Sequence, residues 1–228
     1  MHGLAHLVHG VAAVAARNSL WMTWNLILAA IPAALAVAVF RHRGPRTVLW
    51  WLGAGLGVLF LPNAPYVVTD LVHLQGDVVL AQSNFAVVYG VLPVYGMFIA
   101  AGFACYALAL GEAGRYLDAH GMARWRPSIE VGVHLVCAVG VVLGRVARLN
   151  SWEPVTEPHS AAERILLTLT WRWAPAAVLA TFAVTWAGHA LTGAAGRWAV
   201  TRSAQLWDLG AGLWAAYGPR YGRGAGGH

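Results

Sequence analysis

Lysine is missing altogether: the fifteen basic residues of this 228-residue chain are all arginine. That excludes Schiff-base chemistry and a lysine-bound retinal. Charge of either sign is scarce, at 11% of residues, where a soluble domain carries about a quarter. Cysteine is limited to Cys105 and Cys137, both inside apolar runs. They read as small buried hydrophobes, and no disulfide framework is indicated. The phosphate-binding Walker loop, the Gly-x-Ser-x-Gly elbow and the His-Glu-x-x-His helix are all absent. A signal peptide is not expected either, because Arg17 follows the apolar part of residues 1–16 and no basic region precedes it.

What the chain has in abundance is apolar length. Hydrophobic residues make up 59% of it and the mean hydropathy is +0.59. The fold class expected is all-α: a polytopic transmembrane helix bundle of five spans, with residues 1–16 as a candidate sixth. Three regions follow: 1–19, an interfacial or partly inserted N-terminal segment; 20–191, the transmembrane bundle; and 192–228, a cytoplasmic Gly/Arg-containing tail, part of which Leu206, Leu213 and Trp214 could lay on the membrane. The lipid bilayer is thus the first partner. The net charge of +6 is a matter of arginine distribution among loops rather than a sign of nucleic acid, which is not expected as a partner. Nothing in the sequence sets an oligomeric state.

The expected spans are 20–40, 47–61, 85–110, 128–149 and 174–191. The second stops at Pro62 after fifteen residues. At 1.5 Å per residue that is about 22 Å, short of the roughly 30 Å of bilayer hydrocarbon. The segment Phe60-Leu61-Pro62-Asn63-Ala64-Pro65-Tyr66 therefore reads as a proline-broken helix near the outer membrane surface. Prolines disfavour helical geometry in the residues before them, here Leu61 and Ala64. The carbonyls and amides so freed need partners, which Asn63, Tyr66 and Thr69 are suited to supply. Thr69 or Asp70 is placed to cap a short following helix, in which Asp70, His73 and Asp77 would share one face.

Ten arginines (three in 41–46, three in 111–127, four in the tail) fall on one side of a five-span topology and five on the other. The richer side is cytoplasmic by the positive-inside rule, with the N-terminus outside and the C-terminus inside. Residues 63–77 and 145–163 then emerge together on the outer face. Arg145 and Arg148, i and i+3, need a partner, a cavity or the headgroups. Asp70, Asp77 and Glu153 are the candidate counter-charges. Left unpaired, the two guanidiniums suit a phosphate or carboxylate.

The candidate ligand-binding residues are Asn63, Tyr66, Thr69, Arg145, Arg148, Asn150, Ser151 and Trp152. The candidate acid–base pair is His73 with Asp70. His73, Asp70 and Asp77 offer at most three ligands, so no metal is expected, and no other cofactor. His2 and His6, four apart, read as a solvent-facing edge. His134 and His189 are expected at different depths, which argues against paired haem ligation.

Two motifs, Phe60-Leu61-Pro62-Asn63-Ala64-Pro65-Tyr66-x-x-Thr69-Asp70-Leu71-x-His73-Leu74 and Leu143-Gly144-Arg145-x-x-Arg148-x-Asn150-Ser151-Trp152, resemble those of a bacterial multi-pass membrane family. It is known only as a domain of unknown function, number thirteen sixty-one. Asn25, Leu26 and Pro32 are similar to its opening signature, and the resemblance runs from about Asn25 to Leu191. It implies an integral membrane protein without an established activity. Members often carry an aspartate where this chain has Asn84, with Asp77 as the nearest substitute.

Three function classes follow: a binder or transporter of a small anionic molecule or phospholipid headgroup, a membrane-embedded enzyme acting on lipid or envelope substrates, and a structural or assembly subunit.

Overall fold

The structure, a computed structural model, describes residues 2–81 and 83–217. The side chains of His2, His6, Leu206, Leu213 and Trp214 lie outside the described residues. Among the described residues there is no strand. The helices are α1 (His2–Phe40), α2 (Val48–Phe60), α3 (Asn63–Tyr66), a 3-10 stretch Val67–His73, α4 (Leu74–Ala81), α5 (Asn84–Ala86), a π turn Val87–Val91, α6 (Leu92–Ala119), a 3-10 turn Ala123–Trp125, α7 (Arg126–Val146), α8 (Glu153–Thr156), α9 (Pro158–Leu169) and α10 (Ala174–Tyr217). Five stretches are long and apolar enough to cross a membrane: Ala16–Phe40, Val48–Ala81, Asn84–Ala119, Ala123–Val146 and Ala174–Leu209. The chain is an all-α, multi-pass membrane protein.

It divides into two compact units, 1–192 and 193–228. In the second, helical residues expose Trp198, Val200, Trp207 and Leu209. In the first, α1 runs unbroken from the N-terminal segment into the first span. No glycine or proline falls between Val11 and Ile31, so nothing in the sequence stops it.

The third span extends further than its apolar run. Residues 111–119, expected in a polar loop, continue α6 to Ala119. The reason is an ion cluster around one buried carboxylate. Glu112, 2% exposed, accepts from Arg41 Nε at 2.8 Å and pairs with Arg115 at 2.5 Å. The cluster ties α6 to the end of α1 and keeps the helix wound past the apolar stretch.

The proline break differs in kind from the expectation. Leu61 (φ −56°, ψ −36°) and Pro62 (φ −59°, ψ −23°) both stay in right-handed helical geometry, and Ala64 lies within α3. What changes is the hydrogen-bond ladder. Proline has no N–H to give, and the chain tightens to i→i+3 bonds, Leu61 N to Val58 O and Ala64 N to Leu61 O. The Phe60 carbonyl is then satisfied by the Asn63 side chain at 2.8 Å. Thr69 does not cap α4. It sits inside the 3-10 stretch and donates back to the Tyr66 carbonyl at 2.8 Å.

This tightened segment is held by close backbone approach. A Cβ on Gly102 of α6 would come within 2.7 Å of the Ala64 carbonyl oxygen. One on Gly140 of α7 would come within 2.5 Å of Pro62 Cγ. Glycine at both positions lets α6 and α7 pack directly onto α3. Ala29, Ala64, Tyr106 and Cys137 complete the core there.

Candidate functional site

Asn63 and Ser151, 88 residues apart, join the two motifs: Asn63 Nδ2 donates to Ser151 Oγ at 2.8 Å. Around this bond lies a cavity of about 540 Å³. Its lining comes from α1 (Trp24, Asn25, Leu28), from the tightened segment (Pro62, Asn63, Tyr66), from α7 (Gly140, Gly144, Arg145) and from the turn after α7 (Arg148 to Trp152). Seven sequence-predicted residues are thereby brought together: Asn63, Tyr66, Arg145, Arg148, Asn150, Ser151 and Trp152. Thr69, Asp70 and His73 are not among those lining it.

The two arginines reach the cavity by different routes. Arg145 belongs to the last turn of α7, which ends at Val146. Arg148 lies beyond the helix with φ +52°, the left-handed conformation usually left to glycine. They therefore do not share one helical face as their spacing suggests; a left-handed turn redirects the second.

Among the described residues, no carboxylate lines the cavity and neither arginine forms a salt bridge. Each candidate counter-charge hydrogen-bonds elsewhere, and only Asp70 still acts on Arg145 through space. Asp77, fully buried, accepts from Asn18 Nδ2 at 2.5 Å and Tyr95 OH at 2.7 Å, and faces Arg17 at 3.4 Å. Gly76 makes room for Arg17, whose guanidinium would lie 2.8 Å from a Cβ there. Asp70, 3% exposed, accepts from Asn25 at 2.7 Å. Glu153 accepts from the Asn150 backbone N–H at 2.8 Å and pairs with Arg164 at 3.2 Å.

Asp70, His73 and Asp77 do not act as one face. The switch from 3-10 to α winding changes the register, so both aspartates are buried while His73 is exposed, its ring 4.9 Å from that of Trp21. Among the described residues His73 and Asp70 share no hydrogen bond, and no group of three or more His, Cys, Asp or Glu could hold a metal ion.

His134 and His189 lie level with each other, contrary to the depths expected, with ring centroids 5.3 Å apart. The helix carrying His189 does not end near Leu191 but runs on, so the residue is mid-helix. The Tyr106 hydroxyl bonds His134 Nδ1 at 2.8 Å.

Outside the spans, Glu153 sits below the usual carboxylate range. The chief cause is the hydrogen bond from the Asn150 backbone, helped by the Asn150 side chain and by Arg164. A depressed folded value means that the ionised carboxylate stabilises this turn above the unfolded value of about 4.3, and that the contribution is lost as pH falls through the lower folded value. Hydrogen exchange at the Asn150 amide is expected to accelerate on acidification through that range, beyond its intrinsic pH dependence. Glu153→Gln should remove the excess.

Sequence reasoning passed over Trp24 and Leu28 on the cavity wall. It also passed over Gly140-Val141-Val142-Leu143-Gly144, whose small-x-x-x-small spacing signals close helix packing. A Cβ at Gly144 would lie 3.1 Å from the Tyr66 ring.

The family described as protein of unknown function (DUF1361) matches residues 24–187, a stretch that holds every residue lining the cavity. The chain belongs to this family. No curated protein and no solved structure matches it. Membership fits a membrane protein of unknown activity.

Proposed function

We propose that this is a bacterial inner-membrane protein that binds an anionic group, carried by a small molecule or a phospholipid headgroup, in the cavity bounded by Asn63, Tyr66, Arg145, Arg148, Asn150, Ser151 and Trp152. One observation carries the reading: two arginines line a cavity without a carboxylate, while Asp70, Asp77 and Glu153 are each committed to other donors. Positive charge inside or beside a span is costly unless it pairs, snorkels or faces a cavity, and in a cavity an anion answers it with charge-assisted hydrogen bonds. The arginine count, ten against five, supports a cytoplasmic C-terminus and a cavity facing the periplasm.

The test is phospholipid retention. Protein purified in a neutral detergent is expected to carry bound anionic lipid, measured as phosphorus per polypeptide. Arg145→Ala should lose most of it while the thermal unfolding midpoint stays within a few degrees. A second reading rests on the Asn63–Ser151 bond, which by itself would fasten α3 to the turn after α7. If Arg145→Ala retains its lipid, or unfolds without releasing lipid first, the fastening role is the better account.

A further inference from the structure

We infer that the group held in this cavity is a phosphate monoester, a dianion, rather than a carboxylate or the phosphodiester of ordinary phospholipids. The inference rests on the anion-binding reading above and specifies its ligand. The first ground is charge. Two guanidiniums stand on a lining without a carboxylate; Asp70 acts on Arg145 only from behind that lining, and a dianion answers the pair more fully than a monoanion. A phosphate monoester carries about −1.5 to −2 at neutral pH and has three strong acceptor oxygens.

The second ground is hydrogen-bond polarity. Asn63 spends its amide on the Phe60 carbonyl and on Ser151 Oγ. Since Ser151 Oγ accepts that bond, its own O–H is left to donate. Among the described residues the Tyr66 hydroxyl makes no other hydrogen bond. The wall thus offers two guanidiniums and two hydroxyls as donors, beside the amide oxygens of Asn25, Asn63 and Asn150, whose nitrogens are already spent. A choline or ethanolamine head would find no carboxylate on the lining.

The third ground is size. About 540 Å³ falls in the range of pockets that enclose an organic ligand, which pockets of some 300–1,000 Å³ do. Inorganic phosphate alone underfills it. Leu28 and Pro62 supply apolar wall for the organic part. That part could be an acyl-bearing glycerol or a small soluble alcohol, and the phosphate chemistry is the same for both.

The test uses the full chain in neutral detergent, read by quenching of tryptophan emission, since Trp24 and Trp152 line the cavity. Four probes are titrated: dihexanoyl phosphatidic acid, dihexanoyl phosphatidylglycerol, glycerol 3-phosphate and acetate. The phosphatidic acid is expected to bind about tenfold or more tighter than the phosphatidylglycerol, the value of one added charge-assisted hydrogen bond. Arg145→Gln should bring the two lipids to within a few-fold of each other by weakening the monoester more than the diester. Binding of glycerol 3-phosphate as well would mark a soluble ester as sufficient; binding of the phosphatidic acid alone would mark a lipid. Either outcome supports the monoester. Equal or tighter binding of the phosphodiester or of acetate would overturn it while leaving an anion site standing. No response to any of the four would overturn both readings.

Discussion

Asp77→Ala is expected to cost about 2–5 kcal/mol of stability, because it takes the shared acceptor away from two buried donors. Asp77 is fully buried and gathers three elements. Asn18 and Arg17 come from α1 and Tyr95 from α6, while Asp77 itself is on α4. Trp21 extends the network by donating to Asn18 Oδ1 at 2.9 Å. Alanine would strand the Asn18 amide and the Tyr95 hydroxyl, each about 1–3 kcal/mol when buried without an acceptor, and would leave Arg17, 46% exposed, without its counter-charge. Asn18 and Tyr95 are 1% and 2% exposed, so water cannot replace the lost carboxylate. Asp77→Asn should be milder, since its carbonyl can still accept from both donors while its amide meets Arg17 unfavourably. The measurement is thermal or denaturant unfolding in detergent. A double-mutant cycle with Asn18→Ala should give a combined loss smaller than the sum, because removing the donor relieves the orphan. An additive result would mean that the carboxylate acts through packing and not through these bonds.

The number of spans is legible in the sequence because four of the five apolar runs reach eighteen residues or more, which fits little besides a membrane crossing, and the fifteen-residue second run continues through the proline break into a fifth such stretch. The meeting of residues near 63 and 151 is legible too, because a five-span topology puts the end of the second span and the end of the fourth on one side. The Asp77 network is not. Its partners lie 59 and 18 residues away in sequence. Asn18 falls in a stretch that looks too short to span, so its amide has no evident reason to be buried. The Leu61 geometry departs from expectation because the rule for residues preceding proline is a preference: packing of Gly102 and Gly140 against this segment holds it helical, and the missing amide shows only in the hydrogen bonds. The extent of α6 is hidden for a related reason. Glu112 and Arg115 look like loop residues until Arg41, brought from 71 residues upstream, neutralises the carboxylate.

Arg148→Gly should separate a binding role from a fastening one more sharply than any alanine variant. Arg148 occupies the left-handed region at φ +52°, which costs a side-chain-bearing residue about 1–2 kcal/mol that glycine avoids. Two terms oppose the gain. Glycine loosens the unfolded chain by about 0.4–1 kcal/mol, and a cation just past the end of α7 loses about 0.3–1 kcal/mol of helix-dipole attraction. These nearly cancel, so the variant is expected to unfold within about 1 kcal/mol of the parent. Binding of a phosphate monoester has no such compensation. Losing one charged hydrogen-bonding partner costs about 1.5–3 kcal/mol, roughly a 10- to 150-fold rise in Kd. Arg148→Ala would lose the same affinity but keep the backbone strain, and should therefore be the less stable of the two. If the guanidinium instead serves to tie the turn after α7 to its neighbours, the glycine variant must fall well below the parent in stability, because relieving the backbone cannot offset a lost tie of several kcal/mol. Unfolding and dihexanoyl phosphatidic acid titrations on the same two preparations decide it. Preserved stability with lost affinity assigns Arg148 to the ligand, and lost stability with preserved affinity assigns it to the fold.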